Sequence, residues 1–211
     1  MTRITNRSVV QQVRTESMTR HGDVRQKILD AAEHRLWHYG FKKTTIDEIA
    51  SDAGVGKGTV YLYFEGKEDI GLAIMAQFKE TSLGKTEEIA HDPTKTPVQK
   101  LTEMLQQPML NAHQLCHASP AALELVVAIK PHIQARMRPY LEQEWALLAG
   151  VLEEGNRQNV FDVPDPLRAA RTLKTMCLGF LPPHPCASST GEIASEIAHI
   201  VELAVRGLRK Q

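Results

Sequence analysis

The chain has 211 residues, balances 25 Lys and Arg against 25 Asp and Glu, and is 42% hydrophobic. Balanced charge excludes a uniformly basic nucleic-acid coat, and no run approaches the roughly 18 apolar residues that span a bilayer. Residues 1–22 lack the apolar stretch of a secretory signal, and three scattered cysteines are too few for a disulfide framework, so the expectation is a reduced, cytoplasmic protein with no membrane partner.

Within residues 1–22, Arg3, Arg7, Arg14 and Arg20 oppose Glu16 alone, which predicts a flexible basic N-terminal arm able to brush phosphates. Asp23–Tyr39 reads as a helix with Ile28, Leu29, Ala32 and Leu36 on one face, stopped by Gly40. Thr45 opens a capping box with Glu48, and Ile46, Ile49, Ala50 and Ala53 line the buried side of a second helix. Gly54 ends it and Val55 plugs the corner. A third helix, Gly58–Phe64, is barely two turns long. Val60 and Phe64 face inward, and Thr59, Tyr61 and Tyr63 are read as facing away. After Gly66 a fourth helix starts at Lys67, with Ile70, Ala73, Ile74 and Phe78 apolar and Glu68 and Asp69 beside its N-terminal dipole. Two short helices about a Gly-Val-Gly turn are the layout of a helix-turn-helix, whose second helix enters a DNA groove.

His91 to Pro97 reads as a linker to a second helical block. There Val98, Leu101, Leu105 and Met109 keep helical spacing, with a kink expected at Pro108. Separate helices are expected over residues 118–129 and 131–159, the second kinked or broken at Pro139 and carrying Leu141, Trp145, Leu148 and Leu152. Asp165 caps a helix to Leu181, Pro182–Pro185 is irregular, and the last helix, from Thr190 to Arg209, has Ile193, Ile197, Ile200, Val201, Ala204 and Leu208 as its apolar stripe. The fold class is therefore all-α. An N-terminal three-helix helix-turn-helix head precedes a larger C-terminal helical bundle that binds a ligand and dimerises. The divisions are 1–22 for the arm, 23–70 for the DNA-binding domain and 71–211 for the ligand-binding and dimerisation domain.

The candidate DNA contacts are Thr44, Thr45, Lys57, Gly58, Thr59, Tyr61, Tyr63 and Lys67. Tyrosine hydroxyls can donate to phosphates, Lys57 can reach a phosphate or a guanine edge, and Gly58 lets the helix approach the duplex. Thr44, Thr45 and Lys67 are expected to grip phosphates on either side.

This stretch resembles the tetracycline-repressor (TetR) family of bacterial transcription regulators over roughly Val24 to Phe78. The resemblance is carried by Ile28-Leu29-Asp30-Ala31-Ala32, Gly40-Phe41, Thr44-Thr45-Ile46, Ile49-Ala50, Ala53-Gly54-Val55, Gly58-Thr59-Val60-Tyr61, Tyr63-Phe64 and Lys67-Glu68. It implies a DNA-binding head, a linking fourth helix, a helical ligand-binding body and a homodimer built by the last two long helices. Gly56 departs from the family's frequent polar cap, at a cost of a few tenths of a kcal/mol.

The expected partners are a double-stranded DNA operator, a second copy and a small-molecule effector, with no cofactor. Breaks at Pro108 and Pro139 leave gaps between helices, so Met104, Met109, His113, Cys116, Trp145 and Met176 are candidate effector contacts. Cys116, His117, His184 and Cys186 are weaker candidates for a zinc, copper or haem site, or for a redox-sensing thiol. No Gly-rich phosphate loop, His-Glu-x-x-His pair or Gly-x-Ser-x-Gly elbow is present, so no enzyme is expected. Glu87-Glu88 and Glu153-Glu154 read as solvated faces. An architectural DNA binder without an effector is the alternative.

Overall fold

The computed structural model describes residues 6–181 and 189–208, and the side chains of residues 6–21, 118, 134, 135 and 208 are left aside. Every element among the described residues is helical: α1 (Asn6–Tyr39), α2 (Ile46–Asp52), α3 (Lys57–Tyr63), α4 (Lys67–His91), α5 (Pro97–Ala118), α6 (Pro120–Arg157), α7 (Pro166–Cys177), a 3-10 turn (Leu178–Phe180) and α8 (Thr190–Leu208). The chain divides into two compact units, Met1–Ile74 and Met75–Gln211, and the division falls inside α4.

In the first unit, α1 packs on α2 and α2 on α3. Ile28, Leu29, Ala32 and Leu36 of α1, Ile49 and Ala50 of α2, Val60 of α3 and Phe64 just beyond it are all buried. Gly40 and Gly54 take positive φ (85° and 66°), the left-handed conformation that lets each helix end sharply. The basic arm expected through residue 22 is not irregular: α1 is already helical at Asn6. No proline interrupts residues 6–39, so the backbone has no reason to break at Asp23.

In the second unit, α5 packs against α6 and α8, and α6 against α7. Thr96 caps α5 through a capping box with Gln99, and Asp165 caps α7 by accepting from Arg168 N at 3.0 Å. Leu101, Leu105, Leu148, Leu152, Ile193, Ile197 and Val201 form the core. The expected break near Pro131 does not occur, because α6 runs unbroken for 38 residues through Pro131 and Pro139. Each proline removes one helical hydrogen bond, at about 3 kcal/mol in a helix interior, and the buried residues on either side hold the helix together regardless. Glu154 is not purely solvated, since its carboxylate accepts from buried Lys100 at 2.8 Å. Phe78 is 36% exposed and does not continue the buried stripe of α4. Residues 182–188, with His184, Cys186 and the expected irregular prolines, lie outside the described residues.

Candidate nucleic-acid interface

Polar ties fix the geometry of the first three helices. From α1, Arg35 sets its guanidinium on both carboxylate oxygens of Asp52, and Nη1 lies 3.1 Å from Glu48. The hydrogen bond to Asp52 raises the Arg35 pKa, and the same contact holds the Asp52 carboxyl below its usual range. Glu48 also accepts from Thr45 N at 2.8 Å, while Thr45 Oγ1 accepts from Glu48 N at 3.3 Å. One carboxylate thus caps α2 and helps clamp it to α1.

Helix α3 starts at Gly56, which supplies no side-chain cap. Val60 and Phe64 anchor it, and Lys57, Gly58, Tyr61 and Leu62 are exposed. Thr59 and Tyr63 are half-buried on its flanks. This corrects the expected outward set. At 100° per residue, positions 57, 58, 61 and 62 share a face, whereas a 59–61–63 alternation belongs to a strand. The signal for Leu62 was present in the sequence as its i+4 spacing from Gly58.

Two expected phosphate contacts have other work. Thr44 is 1% exposed, and its hydroxyl donates to Gly40 O at 2.9 Å. Lys67 Nζ donates to Phe41 O at 2.6 Å and Thr44 O at 2.9 Å, and sits 4.3 Å from the centre of the Phe41 ring. Both residues pin the loop between α1 and α2. Thr45 is exposed at the start of α2.

Lys57 is exposed, but its Nζ lies 2.9 Å from Asp47, whose hydrogen bond raises the lysine pKa. A DNA phosphate must compete with that carboxylate. Asp47→Asn is expected to strengthen binding to every duplex alike and to steepen the salt dependence by up to about one counterion. Fluorescence anisotropy over a series of KCl concentrations checks this; weaker binding by the variant would show that Asp47 orients Lys57 instead.

The six candidate effector residues lie in unlike surroundings. Met104 and Met109 are core residues, Trp145 is half-buried with Arg171 4.8 Å from its ring centre, and Met176 is 49% exposed. His113 is buried with neither ring nitrogen hydrogen-bonded, its ring 4.1 Å from exposed His117; burial, then His117, lowers its pKa. Burial pushes the Cys116 thiol up and Cys177 up to about 11, the opposite of a reactive thiolate. Two open clefts, of about 340 Å³ between α4 and α6 and about 420 Å³ between α4 and α5, are lined by none of the six. Among the described residues no three His, Cys, Asp or Glu side chains cluster to hold a metal ion.

A group the sequence did not reveal lies in the second unit. Glu144 of α6, 1% exposed, holds Lys79 of α4 at 3.3 Å and Lys174 of α7 at 2.9 Å. Burial pushes the Glu144 carboxyl up, but the two ammonium groups outweigh it and hold the pKa low. Lys174 shares its counter-ion with Lys79, so burial prevails there and lowers its pKa.

Residues 28–74, which hold this interface, match the sequence model of the bacterial regulatory proteins, tetR family. That segment carries the DNA-binding sequence of the tetR family. The uncharacterised helix-turn-helix regulator YhgD of Bacillus subtilis (strain 168) is 44% identical over 48 residues, 23% of this chain and 25% of that protein. The match therefore spans only a quarter of that relative. The fatty acid metabolism regulator protein of the same organism is 26% identical over 151 residues, 70% of this chain and 75% of that protein. The crystal structure of Thermus thermophilus FadR in complex with lauroyl-CoA superposes with a TM-score of 0.63 at 22% identity, covering 89% of this chain and 96% of that one. That likeness is one of fold. No helix among the described residues is long and apolar enough to cross a membrane.

Proposed function

We propose that this chain is a tetR-family regulator that acts as a homodimer on a palindromic double-stranded DNA operator and is released by a small molecule bound in its second unit. The observation that carries the DNA reading is the outward face of α3, where Lys57, Gly58 and Tyr61 stand exposed on a helix anchored by Val60 and Phe64. Lys57 and Tyr61 suit phosphates and sugars, and Gly58 allows close approach. Thr45 reaches the backbone from the start of α2, and Thr59 and Tyr63 border the contact. Thr44 and Lys67 position the loop beneath it.

One such face reads few base pairs, whereas two related by a two-fold axis read half-sites about 34–36 Å apart, or a multiple of that spacing. Exposed Leu167 and Met176 on α7, Leu178 just after it and Leu203 on α8 supply apolar surface for the second copy.

The cleft between α4 and α6 is the proposed effector site. Ala76, Leu83 and Pro139 give it apolar walls, and Glu80, Arg136, Tyr140 and Gln143 give it polar groups. Its volume of about 340 Å³ suits a small ligand. Helix α4 starts at Lys67 in the first unit, so a ligand that displaces it acts on an element the DNA-binding unit shares. The lauroyl-CoA complex of the Thermus protein makes that thioester the first probe.

The test is anisotropy of a labelled duplex selected from a random library on the full chain, followed by titration with lauroyl-CoA. A coupling of about 1–3 kcal/mol, or roughly 5–150-fold weaker binding, is expected. Equal affinity for all duplexes with no release favours an architectural binder, and no binding at low salt ends the proposal.

A further inference from the structure

Leu62 is 82% exposed, well above the other exposed large apolar side chains among the described residues, and it stands in the middle of the outward face of α3. Nothing in the first unit covers it. An isolated exposed leucine is unremarkable on a protein surface. Its neighbour one turn earlier makes this one different.

Gly58 lies at i−4 from Leu62, on the same face. Gly58 is the second residue of α3, and glycine loses more backbone freedom than alanine when it is fixed in a helix, so its presence calls for a reason. Packing within the chain gives none, because a Cβ built at Gly58 meets nothing within 4 Å. Backbone conformation gives none either, since Gly58 is not among the glycines with positive φ. The side chain of Leu62, beside the bare backbone at Gly58, therefore forms a small shelf whose apolar part is the leucine, open to whatever approaches α3.

We propose that Gly58 and Leu62 together seat the 5-methyl group of one thymine in each DNA half-site. This rests on the reading of α3 as the DNA-binding helix. The thymine methyl is the apolar group on the base edges of the major groove, and apolar side chains are its usual contact there. Phosphates and the polar base edges offer a leucine side chain nothing to recognise, and the sugars, against which it can pack, carry no sequence information. The shelf assigns Leu62 to base discrimination, whereas Lys57 and Tyr61, together on one side of it, fix the register of the helix on the backbone.

The experiment uses the full chain and a duplex selected on it from a random library. Each thymine of one half-site is replaced in turn by deoxyuridine, which keeps every hydrogen bond and removes only the methyl. Burying one methyl corresponds to about fourfold in affinity. The expected result is one thymine per half-site whose replacement weakens wild-type binding about fourfold and leaves Leu62→Ala binding unchanged. Leu62→Ala should keep the wild-type melting temperature, because the side chain makes no internal contact worth losing. Gly58→Ala should move the two readouts in opposite directions, with a higher melting temperature and weaker binding to the selected duplex.

Insensitivity of wild-type binding to every thymine replacement would overturn the proposal. So would a replacement whose effect is the same in wild type and in Leu62→Ala. Either result leaves the assignment of α3 to DNA standing, because the selected duplex is still bound. Failure to select any duplex removes both readings together.

Discussion

Glu144→Ala is expected to destabilise the protein by about 3–5 kcal/mol, since it leaves buried ammonium groups without their counter-ion. Glu144 is 1% exposed and Lys174 3% exposed, so water cannot replace the lost carboxylate, while Lys79 at the rim is better solvated. The charge count also predicts an asymmetry. The cluster holds two cations on one anion, and Lys174→Met leaves a matched Lys79–Glu144 pair, so that change should cost less than half as much. Chemical denaturation at fixed protein concentration measures both. Near-equal costs would mean that Lys174, rather than the shared carboxylate, organises the three helices.

The same cluster sets a pH dependence. The Glu144 pKa is lowered in the folded state, so its contribution is present above the unfolded carboxylate pKa and is lost as pH falls through the folded value. Lys174 is also lowered, so its penalty is full below its folded pKa and disappears as pH rises towards the unfolded lysine value. Both terms increase stability with rising pH.

The second large effect is expected at Gly155, in the last turns of α6. A Cβ there would overlap the ring of Phe161, whose Cγ lies 3.0 Å from its position with two further ring carbons closer still. Phe161 is 3% exposed and is drawn back over the helix end by hydrogen bonds from Val160 N and Phe161 N to Gly155 O, at 2.8 and 3.3 Å. The ring has nowhere to go without opening the core. Gly155→Ala should cost about 1–3 kcal/mol through overpacking, more than offsetting the gain in helix propensity. Gly150, five residues earlier in the same helix, is the internal control. A Cβ there meets nothing within 4 Å, so Gly150→Ala should be neutral or stabilising by up to about 1 kcal/mol. Denaturation midpoints of the two variants moving in the same direction would contradict the role given to Phe161.

Short-range chemistry made the first unit legible. The capping box at Thr45 and Glu48 and the stops at Gly40 and Gly54 lie within a few residues of the contacts they make, and the i, i+4 spacing of Val60 and Phe64 marks the inner face of α3. Leu62 was legible too, once helical rather than alternating spacing is applied to α3. The roles of Thr44 and Lys67 were harder, because Lys67 reaches carbonyls 23 and 26 residues away, and a lysine at a helix start reads as a surface cation. Pro131 and Pro139 read as breaks because each costs a hydrogen bond, yet the tertiary packing of α6 decides the matter. Lys79, Glu144 and Lys174 come from three helices, and nothing in local periodicity marks a charged residue as buried. The effector candidates were chosen by composition around prolines, which does not specify which helix faces leave room.

The central claim is that the outward face of α3, presented twice by a dimer, reads a two-fold DNA site. Hydroxyl-radical footprinting of the selected duplex by the full chain tests it most directly. Two protected patches, centred about 34–36 Å apart or at a multiple of that spacing and both weakened by Tyr61→Ala, are the predicted result. A single patch, or two patches indifferent to Tyr61→Ala, would contradict it.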